Sequence, residues 1–324
     1  MISRRAFVAA ALAAPLAARA QPAKTHRIGY LLLTPLTETP SPERAAFLAE
    51  LRSLGYVEGK NLRIEYRSAQ SRREKLPALA EELVREKVEV IVATSTPGTR
   101  AAADATRDIP IVFIGVGDAS RAKLVSNFAR PEANLTGVTW LTAETVSKRL
   151  QLLKETLPRA SRVALVWNPA DGPSSEHYAL VREAADRLQL ALEDYRVSGV
   201  DELQTELERL PHERPDAIFV ITDSRMVTYR KIIADEARKL RIPCFADYRG
   251  FAESGALMSY SADLTDLFRR GAAFVARLLK GAKPSELPVE QPTRFQLVIN
   301  LKAAKALGLK IPQSVMVLAD ELIE

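Results

Sequence analysis

The sequence predicts an α/β protein built from two doubly wound, Rossmann-like lobes. Strand and helix patterns alternate along the chain, which is typical of a parallel sheet with helices on both faces. The alternation restarts near Thr145, so a second unit of the same kind follows the first. No low-complexity linker separates the two units, and the segments after the second unit are suited to return to the first. We therefore expect two lobes joined by several short crossings.

The elements of the first lobe follow from their apolar spacing. Short apolar runs such as RIGYLLL predict strands, and apolar residues three or four positions apart predict amphipathic helices. Glycine favours the position just after a helix, and Gly55 closes the first predicted helix. The predicted strands are 27–33, 62–66, 88–93, 109–115 and 134–140, and the predicted helices are 42–54, 76–86, 98–105 and 119–128.

The second lobe repeats the pattern of strands and helices, and the chain then returns to the first lobe. Its predicted strands are 162–167, 192–197, 217–222, 243–246, 257–260 and 295–300, and its predicted helices are 145–157, 174–188, 200–210, 226–239, 263–280 and 301–307. Crossings near 137–141, 258–262 and 292–297 give one lobe of residues 26–139 plus about 262–292 and another of 142–258 plus about 296–324. Such lobes form a hinged cleft, and ligands of open α/β sheets bind at the carboxyl ends of the strands.

The first twenty residues, MISRRAFVAAALAAPLAARA, predict a cleaved signal peptide. A basic start precedes an alanine-rich apolar run over 6–18, and small residues flank Arg19 before the expected cut at Ala20/Gln21. The run is shorter than the ~20 apolar residues that span a bilayer. No cysteine follows the run, which excludes a lipoprotein anchor. We expect the mature protein to be exported to the periplasm.

Two export routes remain open. The sequence SRRAFV at 3–8 is similar to a twin-arginine signal, and a weakly hydrophobic run with Arg19 beside the cut suits that route. Ala9 departs from the pattern, which usually has a polar residue there. An ordinary secretory signal that happens to contain two arginines is the alternative.

Charge and cysteine content narrow the classes of function. The 324 residues carry 46 Lys and Arg and 40 Asp and Glu, a formal charge of +6, and removal of the three arginines in 1–20 lowers it to +3. Charges of both signs are mixed, which indicates a solvated surface rather than a nucleic-acid stripe. Cys244 is the only cysteine, so no intramolecular disulfide can form. The three histidines have no metal-ligand spacing, and we expect neither metal nor cofactor.

Two catalytic interpretations are disfavoured. Gly115-Val116-Gly117 between a strand and a helix resembles a dinucleotide loop, but Ser120 occupies the place of its third glycine. A Ser-His-Asp triad needs a positioned base, and the sequence has no G-x-S-x-G elbow. We therefore predict that the protein is not an enzyme, with an exported α/β enzyme based on carboxylates as the less favoured alternative.

A polar segment at the end of a predicted buried strand is the first candidate ligand contact. Thr94 to Gly98 ends the strand and opens a helix, so the hydroxyls of Ser95 and Thr96 and the free amides suit an anion such as a ligand carboxylate. The same side chains are equally suited to capping the helix. Both roles are compatible with each other.

Further candidates lie at other strand ends and at the crossings. Asp118, Asp223 and Asp247 follow predicted strands, where a carboxylate suits a ligand ammonium, with helix capping as the alternative. Trp140 lies at a predicted crossing and Tyr248 in a loop at the edge of the cleft. Either ring suits stacking on a ligand or packing under the hinge.

Six blocks of sequence resemble the ABC-transporter substrate-binding proteins that include tryptophan and tyrosine binders. They are IPIVFIGVGDA (109–119), NLTGVT (134–139), KRLQLLKETLP (148–158), VALVWNP (163–169), GALMSYSAD (255–263) and LLKGAKPSELPVEQPTRFQLVINLKAAKALGL (278–309). The resemblance implies a type I periplasmic binding fold without catalytic activity. It also implies ligand contacts from the strand-end residues Ser95, Thr96, Asp118, Asn168 and Asp223. The family commonly has Asp-Pro where this chain has Asp118-Ala119.

Together these patterns predict the periplasmic solute-binding component of an ABC importer. We expect a monomer that binds a small polar solute in the cleft between its lobes and delivers it to an inner-membrane permease. We expect it to bind no nucleic acid. An amino acid is the favoured solute, and an aromatic one is the narrower hypothesis. A ligand-sensing module of a receptor is the alternative, because the same fold would serve it.

Overall fold

The structure is a computed structural model that describes residues 24–131, 133–141 and 145–324, with the side chains of 172–176 left out. The predicted signal peptide and its cleavage site at Ala20/Gln21 lie outside these residues. The described residues form two sheets, one in each lobe, and nearly all the strand pairs in them are parallel.

The first lobe contains a five-stranded parallel sheet of order β2-β1-β3-β4-β5. Alternate side chains of its strands face helices α1 and α9 on one side and α2 and α3 on the other. The strands are β1 (His26–Leu32), β2 (Leu62–Ser68), β3 (Val90–Thr94), β4 (Ile111–Val116) and β5 (Leu135–Thr139), and the helices are α1 (Pro42–Ser53), α2 (Leu76–Arg85), α3 (Ser95–Ala105) and α9 (Leu264–Leu279).

The second lobe contains a seven-stranded sheet of order β12-β11-β10-β9-β8-β6-β7, in which only the β10–β11 pair is antiparallel. Helices cover both faces. The strands are β6 (Arg162–Trp167), β7 (Ala191–Arg196), β8 (Ala217–Val220), β9 (Cys244–Ala246), β10 (Met258–Ala262), β11 (Phe295–Asn300) and β12 (Glu321–Ile323), and the helices are α4 (Val146–Thr156), α5 (Gly172–Arg187), α6 (Val200–Glu213), α7 (Ser224–Leu240), α8 (Arg249–Glu253), α10 (Leu301–Leu307) and α11 (Gln313–Met316).

Three crossings join the lobes side by side. One leads from β5 to α4, one from β10 through Asp263 to α9, and one from Glu290 to β11. The amide of Thr139 donates to the carbonyl of Glu290 at 3.0 Å, and the amide of Asp263 donates to the carbonyl of Arg294 at 3.1 Å. These bonds tie the crossings into one hinge. The predicted fold class of two doubly wound lobes with three crossings is confirmed.

One glycine in β5 permits a close approach of backbones beside the hinge. Gly137 has φ +149°, and a Cβ atom added there would lie 2.0 Å from the carbonyl oxygen of Phe113. Its own carbonyl accepts the amide of Glu290 at 2.9 Å. Only glycine fits β5 against β4 at this position, because any side chain would occupy the space of the Phe113 backbone.

One predicted helix is wrong. Residues 119–128 form a series of turns instead, because Asp118 accepts the amides of Ser120 and Arg121 at 2.9 and 3.0 Å and Lys123 adopts a left-handed conformation. An Asx turn of this kind competes with continued helix. The elements that were not predicted are all five residues or shorter, namely α8, α11, β12 and the 3-10 turns Arg73–Lys75 and Pro284–Glu286.

None of the helices in the described residues has the length and apolar content needed to cross a membrane. Cys244 is buried in β9, and burial raises the pKa of its thiol to about 12. A thiol in this environment is inert at neutral pH.

Candidate functional site

The carboxyl ends of the strands of both sheets face a cleft between the lobes. One space in this cleft, of about 550 Å³, lies within the size range of small-molecule sites. We call it the apolar cavity. Its apolar lining comes from both lobes and from the hinge, and includes Tyr30, Leu32, Ile114, Trp140, Val227, Leu264 and Phe268.

A smaller space of about 120 Å³, the central cavity, adjoins the apolar cavity at Ser95, Gly115 and Trp140. Three buried polar atoms around it have no hydrogen-bond partner in the described part of the chain. They are Ser95 Oγ from the first lobe, Trp140 Nε1 from the hinge and Thr222 Oγ1 from the second lobe. Leaving a buried polar group unpaired costs about 1–3 kcal/mol, so such groups usually have a partner when the site is filled.

The backbone around the central cavity is unusual at two positions. Ser95, the first residue of α3, has φ +70°, a conformation that is costly for a residue with a side chain. Gly115 has φ +70° at an irregularity in β4, and an added Cβ atom would meet nothing within 4 Å. Because β3 leads into α3 without a loop, the first turn of the helix lies directly against the cavity.

Asp223 lies on the opposite wall and has the capping role that was its alternative interpretation. Its Oδ1 atom accepts the amides of Arg225 and Met226 at 2.9 and 2.8 Å, which caps α7. Its Oδ2 atom accepts Asn168 Nδ2 at 2.6 Å. Burial raises the pKa of Asp223, against the opposing effect of these hydrogen bonds. The carboxylate therefore caps the helix and lines the cavity at once.

The candidate residues lie in different places, and one of them, Asp247, is fully buried beside Arg149 and lines neither the apolar nor the central cavity. Ser95, Thr96, Trp140 and Asp223 line the central cavity, and Tyr248 lines the apolar cavity at its far side. Asn168 is buried and contacts Asp223 rather than any of the cavities described here. Asp118 lies with Thr96 in a third space of about 500 Å³, which we call the outer cavity.

Direct bonds connect the lobes across the cleft. Arg73 Nη2 of the first lobe lies 3.0 Å from Asp171 Oδ1 of the second, and Ser71 Oγ lies 3.1 Å from Thr228 Oγ1. On the far side, Tyr248 Oη donates to Glu43 Oε1 at 3.2 Å, and burial together with Glu43 raises the pKa of the phenol. The two lobes therefore touch each other on both sides of the cavities.

A buried charged pair lies in the second lobe behind the central cavity. Arg149 Nη1 is 3.6 Å from Asp247 Oδ2, and both side chains are almost fully buried. Arg149 Nη1 also donates to the carbonyl of Val220, and the guanidinium stacks over the Phe219 ring. Burial and the nearby Arg149 cation lower the pKa of His177 to about 4. His177, which lines the central cavity, is therefore neutral at pH 7.

Sequence reasoning missed several residues of the site. Thr34, Gly115 and Thr222 also follow or end predicted strands, so the rule that found Ser95 would have found them. Asp171 and His177 lie beyond a strand end and on a helix, and no local pattern marks them. Within the described residues, no group of three His, Cys, Asp or Glu side chains is arranged to hold a metal ion.

Comparison with known proteins places the geometry in context. A curated protein of Clostridioides difficile (strain R20291), named tyrosine-binding protein, is 27% identical over 280 residues, which cover 86% of this chain and 80% of the relative. A conserved domain protein of Vibrio cholerae has a solved structure with 29% identity and a TM-score of 0.85, with 92% of this chain and 100% of that chain covered.

A third structure, an ABC domain from Streptococcus pneumonia in complex with L-Trp, is 23% identical, covers 93% of this chain and all of its own, and has a TM-score of 0.82. These structures confirm the type I periplasmic binding fold. The family model described as ABC transporter substrate binding protein matches residues 41–323. The chain therefore belongs to the family of ABC transporter substrate-binding proteins.

Proposed function

We propose that the mature chain is a periplasmic binding protein that closes on an aromatic amino acid and delivers it to an inner-membrane ABC permease. It acts as a binding component and has no catalytic activity. The predicted signal peptide supports the exported location. A curated relative named for tyrosine binding supports the class of solute.

The observation that carries this proposal is the group of three unpartnered polar atoms around the central cavity. Ser95 Oγ, Trp140 Nε1 and Thr222 Oγ1 come from the first lobe, the hinge and the second lobe. A polar solute can form hydrogen bonds to all three atoms at once only when the lobes are closed. Binding and closure are then linked, because the solute favours the closed state by its additional contacts there.

The two cavities suit the two ends of an aromatic amino acid. The rings and aliphatic side chains around the apolar cavity suit an aromatic side chain. The first turn of α3, at Ser95 and Thr96, suits the α-carboxylate, because helix N-termini attract anions. Asp223 and Asp171 on the opposite wall suit the ammonium group.

The two tryptophans of the chain offer an internal test. Trp140 lines both cavities, whereas Trp167 is buried against Tyr178 with ring centroids 4.3 Å apart. Titration of the purified mature protein with L-tyrosine, L-tryptophan and L-phenylalanine by calorimetry should give micromolar or tighter binding for at least one. With L-phenylalanine or L-tyrosine, the tryptophan emission should change in the wild type and in Trp167→Phe.

The Trp140→Phe variant should lose most of that emission change, because its remaining tryptophan lines neither of the two cavities. Tyramine and 4-hydroxyphenylpropionate, which lack the carboxylate and the ammonium respectively, should bind at least about tenfold more weakly than L-tyrosine. No detectable heat with any of the three amino acids would rule out the proposed solute class.

A further inference from the structure

The outer cavity is nearly as large as the apolar cavity but differs from it in chemistry. Its volume is about 500 Å³, and it lies between the start of α2, one face of α3, the turn that follows Asp118 and, from the second lobe, His177 of α5. It shares Thr96, Pro97 and His177 with the central cavity. The proposed amino-acid solute occupies the other two cavities, so this space has no role in that proposal.

Positive charge dominates the walls of the outer cavity. Four cationic side chains line it, against two carboxylates, so its formal charge is positive; the cations are Arg73, Arg100, Arg121 and Lys123, and the acids are Asp104 and Asp118. His177 adds no charge at neutral pH, since its pKa is about 4. The whole chain, by comparison, is nearly balanced in charge outside its first twenty residues.

Specific contacts bring three of these cations together on the first lobe. Asp118 caps the amides of Ser120 and Arg121 and so folds the turn back toward α3. Arg100 Nη2 donates to the carbonyl of Ala122, which ties α3 to the turn. Lys123 follows with φ +52°, a conformation that favours glycine or asparagine over lysine. The turn thus holds Arg121 and Lys123 beside Arg100 at a conformational cost.

The cations are only partly neutralised. Arg121 Nε lies 3.2 Å from Asp118 Oδ2, but Asp118 already accepts two amides and the Arg121 side chain is 52% exposed. Arg100 bonds to a neutral carbonyl. In the described part of the chain, the ammonium of Lys123 has neither a hydrogen-bond nor an ion-pair partner. Arg73 is engaged with Asp171 across the cleft.

We propose that the outer cavity is a second binding site, beside the two cavities assigned to the solute, for a small dianionic oxyanion held by Arg100, Arg121 and Lys123. Arginine forks match the paired oxygens of phosphate and carboxylate groups, and charge-assisted bonds to them are about twice as strong as neutral ones. All three cations belong to the first lobe. The three cations therefore keep their grouping whether the lobes are open or closed, and His177 of the second lobe adds to the wall of the cavity in the closed state.

The test is calorimetric titration of the solute-free mature protein with inorganic phosphate and, separately, with malonate, at constant ionic strength set by sodium chloride. We expect binding at submillimolar concentration for at least one of the two. Arg121→Gln/Lys123→Gln should weaken it by about tenfold or more, and Lys123→Glu alone should weaken it by a similar factor. Tighter binding of malonate than of phosphate would support a dicarboxylate occupant, and the reverse order would support a phosphate.

A control removes two positive charges from the other lobe. Lys302 and Lys305 are exposed on α10, far along the chain from the outer cavity, and Lys302→Gln/Lys305→Gln should keep the wild-type affinity within about twofold. Absence of heat for both dianions with the wild type would overturn the proposal. Equal affinities in the cavity variant and the α10 variant would overturn it as well.

Discussion

Arg73 of the first lobe and Asp171 of the second form a salt bridge of 3.0 Å across the cleft. Arg73 lies in a short 3-10 turn before α2, and Asp171 lies between β6 and α5, where it also lines the central cavity. The bridge exists only while the lobes are in contact. It therefore stabilises the closed state and not the open one. Because the solute also favours the closed state, loss of the bridge should weaken solute binding.

Arg73→Gln should shift the protein toward the open state. Partly exposed ion pairs are worth about 0.2–1 kcal/mol, so the affinity for the solute should fall by up to about fivefold at low salt and by less at high salt. The fraction of open molecules is measured by small-angle scattering. Arg72→Gln is the control, because Arg72 is an exposed neighbour that forms no ion pair with the described residues of the other lobe, and equal scattering curves for the two variants would contradict the assignment.

Asp223 caps helix α7 and also lines the central cavity, and two substitutions separate these roles. Asn caps helices about as well as Asp, but its Nδ2 atom would face Asn168 Nδ2 where Oδ2 now accepts, so Asp223→Asn should lower the free energy of unfolding by about 1 kcal/mol while weakening an amino-acid ligand. Asp223→Ala should in addition lower the free energy of unfolding by about 1 kcal/mol. Urea unfolding measures the free energy of unfolding, and calorimetry measures the affinity. Unchanged affinity in Asp223→Asn would show that the charge of Asp223 does not contribute to ligand binding.

His177 should make the protein less stable in acid. Its pKa is about 4 in the folded state against 6.5 ordinarily, so between these values the unfolded chain takes up a proton that the folded one does not. Its contribution to the free energy of unfolding is present above pH 6.5 and falls by about 3 kcal/mol toward pH 4. Urea unfolding at several pH values should show a shallower acid loss in His177→Gln. His212→Gln, on an exposed position of α6, should match the wild type.

Gly137→Ala should destabilise the hinge severely. The new Cβ atom would lie 2.0 Å from the Phe113 carbonyl oxygen, so β4 and β5 would have to move apart. We expect the free energy of unfolding to fall by more than about 3 kcal/mol. Gly281→Ala is the matched control, because Gly281 also has a positive φ, of 98°, but no atom lies within 4 Å of its added Cβ. Similar losses in the two variants would contradict the steric explanation.

Local pattern predicted nearly all the strands and long helices, because burial of a sheet between helices leaves a strong apolar signal. It failed where side-chain bonding replaced helix, as at Asp118, and at elements too short for a period, such as β12. For the candidate site, the strand-end rule found Ser95 and Asp223. It did not find Asp171 or His177, since their place in the cleft depends on how two lobes meet. That arrangement is set by contacts between residues far apart in sequence.

Helix α9 covers one face of the first sheet, although more than a hundred residues of the second lobe separate it in sequence from β5. A chain emerging from the ribosome therefore lacks this cover until most of its length has been made. Ile28, Val112 and Val138 stay exposed on the nascent sheet during that interval. The first lobe should be a client of chaperones and prone to aggregation if synthesis stalls before residue 264. Deletion of the segment from 264 onward should leave neither lobe able to fold, because that segment also supplies β11 to the second sheet.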